Sequence, residues 1–313
     1  MDKITENFKN LLDLKSCFKL VCGAGNEDIN EVEKLVYLYS KAGCNIFDVS
    51  ANIGVIKAAK RGLERAEIKD NRFICVSVGL TGDPHVNKAY INSEKCKRCL
   101  KCFSYCPQRA IKSCIVDETK CIGCEKCLRV CAYDAVSMIS KPTDLNKILP
   151  EIIAENIDCI EFHAITDNDE EVFEKWKLIN EYFDGVVSIC IDRTKLSNEK
   201  FIERIKKMLE LREGKITIVQ ADGTPMSGGV DDYNSTLQAV AAADIVNKAG
   251  LPVYILISGG TNSKSKELAS LCGVDINGVA IGSYARKIVK DYLCDKMSFD
   301  DALEIASKLV KSC

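Results

Sequence analysis

The chain has 313 residues, of which 47% are hydrophobic and 28% are charged, and its formal net charge is −2. A charge this close to zero gives no general attraction for nucleic acid, and no apolar run approaches the roughly 20 residues that a membrane-spanning helix needs. Nothing at the N-terminus resembles a signal peptide, so we expect a cytoplasmic protein without a membrane span, whose cysteines stay reduced.

Short β-branched runs alternate with longer helical runs along most of the chain. The eight strand-like runs are 19–23, 46–50, 73–79, 159–164, 186–191, 216–221, 253–258 and 278–282. The helical runs between and after them are 30–42, 52–66, 144–156, 169–183, 198–211, 236–249, 264–271, 284–293 and 299–311. Pro150 lies inside the third of these helices, and we expect it to kink or split that helix.

This alternation predicts an α/β fold, a (β/α)8 TIM-like barrel. Eight evenly spaced β/α units within the roughly 260 residues outside the cysteine-rich segment match the usual size of such a barrel. Near-continuous apolar strands such as 253–258 are typical of a parallel sheet that helices cover on its outer face. An open, doubly wound sheet would show the same alternation and is the alternative.

The third unit is interrupted by two copies of the run Cys-x2-Cys-x2-Cys-x3-Cys, which is typical of bacterial ferredoxins. The cysteines are Cys96, Cys99, Cys102, Cys106, Cys121, Cys124, Cys127 and Cys131. The repeat extends to the residues before each run: Ile91, Asn92 and Lys95 recur as Val116, Asp117 and Lys120. The runs therefore predict a module that binds two [4Fe-4S] clusters.

In this pattern the fourth cysteine of each run binds the cluster of the other run. We therefore expect Cys106 to join the first three cysteines of the second run, and Cys131 to join those of the first. A disulfide framework and paired zinc sites are the alternatives. The first needs an oxidising compartment, and the second has no use for a regular third and fourth cysteine. The other cysteines, for example Cys22, Cys75 and Cys190, resemble small buried core residues.

The ferredoxin module, residues 88–141, follows the third strand of a barrel made of residues 1–87 and 142–313. It is therefore inserted in a βα loop, and such loops lie on the C-terminal face, where barrel active sites are found. The module carries 11 basic and 5 acidic residues, which is a charge of +6. This charge favours an acidic protein as electron donor or acceptor, or an anionic substrate, the alternative being a merely solvated basic face.

The candidate catalytic residues follow strands at the same face. His85 follows the third strand and His163 ends the fourth, and these are the two histidines of the chain. Asp222 lies in the long glycine-rich loop 220–232 that follows the sixth strand. Asp48 and Glu161 are further candidates, and the sequence leaves open whether they point into the barrel.

Two glycine-rich loops after the seventh and eighth strands predict a phosphate site, because their N–H groups can approach a phosphate closely. The candidate binding residues are Gly259, Gly260, Thr261, Asn262, Gly282, Ser283 and Arg286. FMN, a sugar phosphate or a pterin-like ligand would each suit this site. The alternative is that these glycines only form tight turns.

Taken together, these motifs resemble the light-dependent period protein family, first known from cyanobacteria. The resemblance covers nearly the whole chain and rests on Val21-Cys22-Gly23-Ala24, Asp83-Pro84-His85, the run from Asp222 to Gly228, and Gly259-Gly260-Thr261-Asn262. It implies ferredoxin-type clusters beside an aldolase-like barrel, and a link between cellular redox state and the circadian clock. In architecture alone, the chain is also similar to flavin barrels fused to ferredoxin domains, such as dihydropyrimidine dehydrogenase.

The sequence thus supports two functions from different classes. The first is an iron–sulfur oxidoreductase that passes electrons to a cofactor or substrate at the barrel mouth, with His85, His163 and Asp222 handling protons. The second is a non-catalytic redox sensor. Lyase or aldolase chemistry is less favoured, because no strand shows an obvious lysine for a Schiff base.

Overall fold

The computed structural model describes residues 3–23, 25–68, 71–80, 87–140, 144–212, 214–223 and 230–313. Within them the strands are β1 (Cys17–Val21), β2 (Ile46–Ser50), β3 (Phe73–Gly79), β4 (Asn87–Ile91), β5 (Ile111–Lys112), β6 (Ile115–Val116), β7 (Val136–Ser140), β8 (Cys159–His163), β9 (Val186–Ile191), β10 (Thr217–Asp222), β11 (Tyr254–Ser258) and β12 (Gly278–Ile281). Eight of them form a closed barrel in the order β1-β12-β11-β10-β9-β8-β3-β2. All neighbours in the barrel are parallel, which confirms the predicted TIM-like fold over the open sheet.

The helices of the described residues are α1 (Lys3–Asp13), α2 (Ile29–Ala42), α3 (Ile53–Ala66), α4 (Lys101–Tyr105), α5 (Lys126–Arg129), α6 (Leu145–Ala154), α7 (Asp169–Tyr182), α8 (Asn198–Glu210), α9 (Leu237–Lys248), α10 (Ser265–Leu271), α11 (Ser283–Ile288), α12 (Lys290–Leu293) and α13 (Phe299–Lys311). Pro150 lies inside α6 and does not split it. The predicted helix 284–293 is instead two short helices that separate at Val289. No helix among the described residues is long and apolar enough to cross a bilayer.

Helix α1, which the sequence analysis does not predict, closes the N-terminal end of the barrel. Phe8, Leu11 and Leu12 are buried against the first residues of the barrel strands, among them Cys17 and Ile46. These three apolar residues are spaced as on one face of a helix, so burial of that face stabilises α1. Helix α1 therefore covers the N-terminal ends of the barrel strands.

The cysteine-rich segment folds as a small module after β3, as predicted. Its outer strands β4 and β7 pair antiparallel, with Asn87 opposite Ser140, and β5 and β6 form a second two-stranded sheet. A small apolar cluster that includes Ala89, Ile111 and Val136 lies between them. The two ends of the module therefore lie side by side.

Candidate functional site: two cysteine cages beside the barrel mouth

Four cysteines on the side of the module that faces the barrel surround a space of about 350 Å³. We call this group the proximal cage: Cys106, Cys121, Cys124 and Cys127. Cys106 comes from the first run and the other three from the second, which is the grouping that the predicted crossover requires. Apolar side chains complete the wall: Ala89, Ala110, Ile111 and Met138.

The other four predicted ligands surround a second space of the same volume, about 350 Å³. We call this group the distal cage: Cys96, Cys99, Cys102 and Cys131. Cys99 is exposed and the other three are partly exposed, whereas Cys121 and Cys127 of the proximal cage are buried. A further thiol, Cys114, also lines the distal cage.

The chemistry of both cages fits an iron–sulfur cubane. Each offers four thiols and a largely apolar wall, and thiolates are the ligands that such clusters use. Backbone N–H groups also donate to ligand sulfurs: Ala89 to Cys121 at 3.3 Å, Ala110 to Cys106 at 3.3 Å and Arg98 to Cys96 at 3.4 Å. Such hydrogen bonds stabilise the negative sulfur and tune the potential of a bound cluster.

Helical turns bring the third cysteine of each run into its cage in the same way. Leu100 and Glu125, two residues before these cysteines, both have left-handed backbone, with φ of 60° and 58°. Burial raises the pKa of the Cys127 thiol to about 11. Since the thiolate is the metal ligand, iron binding must drive this deprotonation.

The C-terminal ends of the barrel strands surround a cavity of about 720 Å³, which we call the mouth cavity. Most of the predicted site residues line it: His163, Asp222, Gly259, Gly260, Thr261, Gly282, Ser283 and Arg286. His85 and residues 224–229 of the glycine-rich loop lie outside the described residues.

Asn262 does not line the mouth cavity. It is fully buried, and its side chain donates to the Asp232 carbonyl and the Ser235 hydroxyl, each at 2.8 Å, and accepts from the Lys264 N–H. Asn262 therefore holds the loop after β11 in shape. The Thr261 hydroxyl similarly donates to the Ala280 carbonyl, which joins this loop to β12.

Two residues of the predicted phosphate site are fixed by their neighbours. Gly259 has a φ of 74°, and a Cβ there would collide with the Asp222 carboxylate, so glycine is required at this position. Arg286 donates from Nη1 to the Val21 carbonyl at 2.6 Å. This bond holds the guanidinium at the rim of the mouth, and its other N–H groups can face an anion.

Beneath the mouth lies a buried polar layer that the sequence analysis did not predict as a unit. Lys19 of β1 donates to the Glu161 carboxylate and to Gln220 Oε1 at 2.9 Å, and its ammonium is 3.7 Å from Asp48 Oδ2. Gln220 and Ser188 also donate to Glu161, at 2.9 and 3.0 Å. Asp48 and Glu161 thus point into the barrel, which settles their direction.

Lys19 is a lysine on a barrel strand whose side chain lies inside the barrel, so the expectation that no strand carries a candidate lysine is wrong. Burial alone would lower the pKa of Lys19, but the carboxylates of Asp48 and Glu161 outweigh it and hold that pKa well above its usual value. A Schiff base needs a neutral amine, so this ammonium does not favour lyase chemistry. The signal was present in the sequence, since Lys19 interrupts an otherwise apolar strand.

The two carboxylates that share this lysine differ. Burial raises the pKa of Asp48 to about 6, against the opposing attraction of Lys19. Burial acts on Glu161 too, but Lys19 and a hydrogen bond with His163 outweigh it and lower the pKa of Glu161 to about 2. Glu161 is therefore the ionised partner. Asp48 Oδ2 accepts no hydrogen bond from the described residues and lines the mouth cavity.

Three groups that can exchange protons or bind a cation meet at the floor of the mouth. His163 Nε2 is 3.5 Å from Glu161 Oε1, and the ligand atoms of Glu161, His163 and Cys190 all lie within 4.8 Å of one another. The Cys190 thiol is 3.9 Å from Asp222 Oδ2. His163 and Asp222, predicted from distant parts of the sequence, are therefore on one side of the same cavity.

One residue of the module reaches the barrel site. Ile122, directly after Cys121, lines both the proximal cage and the mouth cavity. Lys88 of β4 fixes this arrangement, because its buried ammonium donates to the carbonyls of Gly25, Glu118 and Cys121 at 2.7 to 2.9 Å. The proximal cage is thus joined to the loop after β1, at the rim of the mouth.

A second groove runs between the proximal cage and the last βα unit, with a volume of about 1460 Å³. Apart from Glu31, the charged side chains of its wall are basic: Arg109, Lys126, Arg286, Lys287 and Lys290. Ile122 and Arg286 belong to this groove and to the mouth cavity alike. An anion that enters the groove would therefore meet positive charge up to the rim of the mouth.

Comparison with solved structures shows the fold alone. Tryptophan synthase of Mycobacterium tuberculosis is similar with a TM-score of 0.52 and 11% identity, over 99% of this chain and 98% of that chain. The tryptophan synthase alpha chain of Legionella pneumophila is similar with a TM-score of 0.50 and 11% identity, over 100% of this chain and 97% of that chain. Both matches agree with a (β/α)8 barrel.

Sequence comparison is more specific. A protein of Synechococcus elongatus named Light dependent period A is 29% identical over 293 residues, which cover 88% of this chain and 82% of that protein. A profile described as "4Fe-4S binding domain" matches residues 89–112, so iron–sulfur binding is a property of this chain. A profile described as "Light dependent period A C-terminal domain" matches residues 151–311, more than half of the chain. The chain therefore belongs to the Light dependent period A C-terminal domain family, which confirms the resemblance seen in the sequence.

Proposed function

We propose that this chain is an iron–sulfur oxidoreductase that exchanges electrons with a small molecule held in the barrel mouth. The observation that carries the proposal is the position of Ile122, which forms part of the wall of both the proximal cage and the mouth cavity. A ferredoxin module that was only linked to the barrel, and exchanged no electrons with it, would not need to line the mouth cavity.

Eight cysteines would hold two [4Fe-4S] clusters, which supply one-electron transfer when bound. The cages differ in their access to solvent, because Cys99 of the distal cage is exposed while Cys121 and Cys127 of the proximal cage are buried. The distal cage therefore suits exchange with an external protein, and the proximal cage suits exchange with the mouth. This order would let one chain connect a protein partner to a small molecule.

The ligand at the mouth would be a phosphate-bearing cofactor, and FMN is the compound with which binding is tested. The glycine-rich loops after β11 and β12 form one wall of the mouth cavity, and Arg286 adds a positive charge at the rim. In the same cavity, His163 and Asp222 would exchange protons with the reacting part of the ligand. Asp48, whose pKa is raised to about 6, adds a carboxyl group that can hold a proton near neutral pH.

The test begins with protein purified without oxygen. We expect flavin bands beside the cluster absorption, or saturable binding of added FMN followed by quenching of its fluorescence. Arg286→Met should weaken FMN binding about tenfold, as expected for loss of one charged contact. The matched control is Arg61→Met, whose guanidinium pairs with Glu33 on the outer helices. No flavin bands and no FMN binding would remove the flavin form of the proposal.

We also propose that the external partner is an acidic electron-transfer protein that approaches the distal cage. Lys97, Arg98 and Lys101 belong to the first cysteine run and are exposed. Opposite charges on two partners accelerate their encounter, and salt screens this effect. The rate of cluster reduction by an acidic ferredoxin should therefore fall with salt concentration and fall further in Lys97→Glu. A rate insensitive to both would contradict this partner.

A redox-sensing role is the second candidate, and one contact favours it. Lys88 joins the Cys121 carbonyl to the Gly25 carbonyl, so a change in the proximal cage is passed directly to the barrel loop after β1. A sensor predicts a protein partner whose binding depends on the oxidation state of the clusters. Pull-down of partners from the same extract under reducing and oxidising conditions tests this role, and identical partners in both conditions would count against it.

A further inference from the structure

Cys114 is a fifth thiol in a cage that needs four. It lines the distal cage together with Cys96, Cys99, Cys102 and Cys131. Cys114 lies outside both cysteine runs, in the two-residue turn between β5 and β6. It is therefore a thiol that the ferredoxin pattern does not explain.

The internal repeat identifies what normally stands at this place. With the offset that relates Cys96 to Cys121, the counterpart of Cys114 is Ala89. Ala89 lines the proximal cage, and its N–H donates to Cys121 Sγ, just as Cys114 lines the distal cage beside Cys96. Each residue thus lines a cage of the other run's first cysteine, Ala89 from strand β4 and Cys114 from the turn between β5 and β6, and only Cys114 carries a sulfur.

The backbone at Cys114 is held against its local preference. Ser113 and Cys114 have φ values of 48° and 61°, the left-handed conformations of a tight hairpin turn. Asparagine and glycine are the residues that such a turn prefers, so a serine and a cysteine here are unfavourable. This turn directs the Cys114 side chain into the cage, where a glycine would offer no ligand.

We propose that Cys114 and Cys96 are interchangeable ligands of the distal cluster, an inference that rests on the proposed cluster binding. In the exchange the Cys114 thiol loses its proton and its thiolate forms a bond to iron. The bond between iron and Cys96 breaks, and the Cys96 thiolate takes up the proton. No electron is gained or lost, so the exchange needs no oxidant or reductant. The distal cage can thus keep its cluster while it releases one ligand.

Iron content of anaerobically purified variants tests the exchange. Wild-type protein should hold about eight irons and Cys96→Ala should still hold about eight, because Cys114 replaces the lost ligand. Cys96→Ala/Cys114→Ala should fall to about four irons. The proximal cage supplies the matched control, since Cys121→Ala should fall to about four irons and Cys121→Ala/Ala89→Cys should regain the lost four.

Native labelling tests the same exchange without a variant. Iodoacetamide added to wild-type holoprotein, followed by peptide mass spectrometry, should label Cys114 in some molecules and Cys96 in others. Labelling of Cys114 alone would overturn the exchange, and so would a loss of iron in Cys96→Ala equal to that in Cys121→Ala. Wild-type protein without iron would instead overturn the proposed cluster binding, so the two failures are distinguishable.

Discussion

The two cages are built from one repeated sequence and have equal volume, yet their surroundings differ. The residue after the first cysteine of the run is Ile122 in the proximal cage and Lys97 in the distal cage. Ile122 lines the barrel mouth, whereas Lys97 is exposed to solvent. The four cysteines therefore determine which metal cluster a cage can bind, and the flanking residue differs according to whether the cage lies beside the barrel mouth or beside solvent.

The largest expected effect tests how the ligands are divided between the cages. Cys106→Ala should lose about four of about eight irons, and so should Cys131→Ala, because each removes one cluster. Cys106→Ala/Cys121→Ala should lose no more iron than Cys106→Ala, whereas Cys106→Ala/Cys99→Ala should lose nearly all of it. The measurements are iron analysis and EPR of the reduced protein. The reverse result for the two double variants would show that each run binds its own cluster.

The next effect concerns the contact that joins the proximal cage to the barrel. Lys88→Met leaves three carbonyls, two of them buried, without this donor, so we expect the free energy of module unfolding to fall by about 2–4 kcal/mol. Lys120→Met is the control, because its half-exposed ion pair with Asp28 is worth less than about 1 kcal/mol. Anaerobic urea titrations should follow cluster absorbance for the module and Trp176 fluorescence for the barrel. Equal losses in both variants would contradict the role of Lys88.

A smaller effect tests the flanking residue itself. Ile122→Ala should reduce the stability of the proximal cluster by roughly 1–2 kcal/mol, because it removes part of the wall shared with the mouth. Lys97→Ala, at the equivalent place in the first run, should have almost no effect. The readout is the rate at which cluster absorbance bleaches in air. If both variants bleach at the wild-type rate, Ile122 does not protect the proximal cluster more than Lys97 protects the distal one.

The smallest expected effect compares one thiol of each cage after iron removal. Burial raises the pKa of Cys127 to about 11, whereas backbone N–H groups of Tyr133, Ala135 and Val136 outweigh burial at Cys131 and lower its pKa. The thiolate is the reactive form, and at pH 8 a larger fraction of Cys131 than of Cys127 is thiolate. The thiolate of the more acidic thiol is the weaker nucleophile, which offsets part of this difference. Cys131 should therefore be alkylated about tenfold faster than Cys127 at pH 8.

The pH dependence of this labelling has a definite direction. The reactivity of Cys131 should level off at a lower pH than that of Cys127, which should keep rising towards pH 11. Alkylation of chelator-treated protein with mass spectrometry of the peptides measures both thiols in one sample. Parallel pH curves for the two cysteines would show that their surroundings do not differ after iron removal.

The sequence predicts well those features that depend on spacing along the chain. The barrel strands follow from their apolar runs, and the composition of each cage follows from the two cysteine runs, because local pattern determines both. Helix α1 and the intact α6 were not predicted. The first is short and stabilised by burial against the barrel, and the second tolerates Pro150 within a packed helix.

Contacts that depend on which strands become neighbours in the barrel could not be predicted from the sequence. Lys19, Glu161 and Gln220 lie far apart in the chain, and only closure of the barrel brings them together. Asn262 shows the opposite case, since its glycine-rich surroundings suggested ligand binding while its amide group stabilises the loop. The residue type does not distinguish binding a ligand from stabilising a loop, because an asparagine uses the same amide group for both.

The pairing of β4 with β7 has a consequence for how such a chain can arise. Asn87 lies opposite Ser140, so the first and last residues of the module are as close together as the two ends of a short loop. The entropy of loop closure depends on the distance between the two ends, which here is that of neighbouring strands, so a folded insertion adds little to it. A ferredoxin module could therefore be gained, lost or exchanged as a cassette while the closed sheet of the barrel keeps the same strand order.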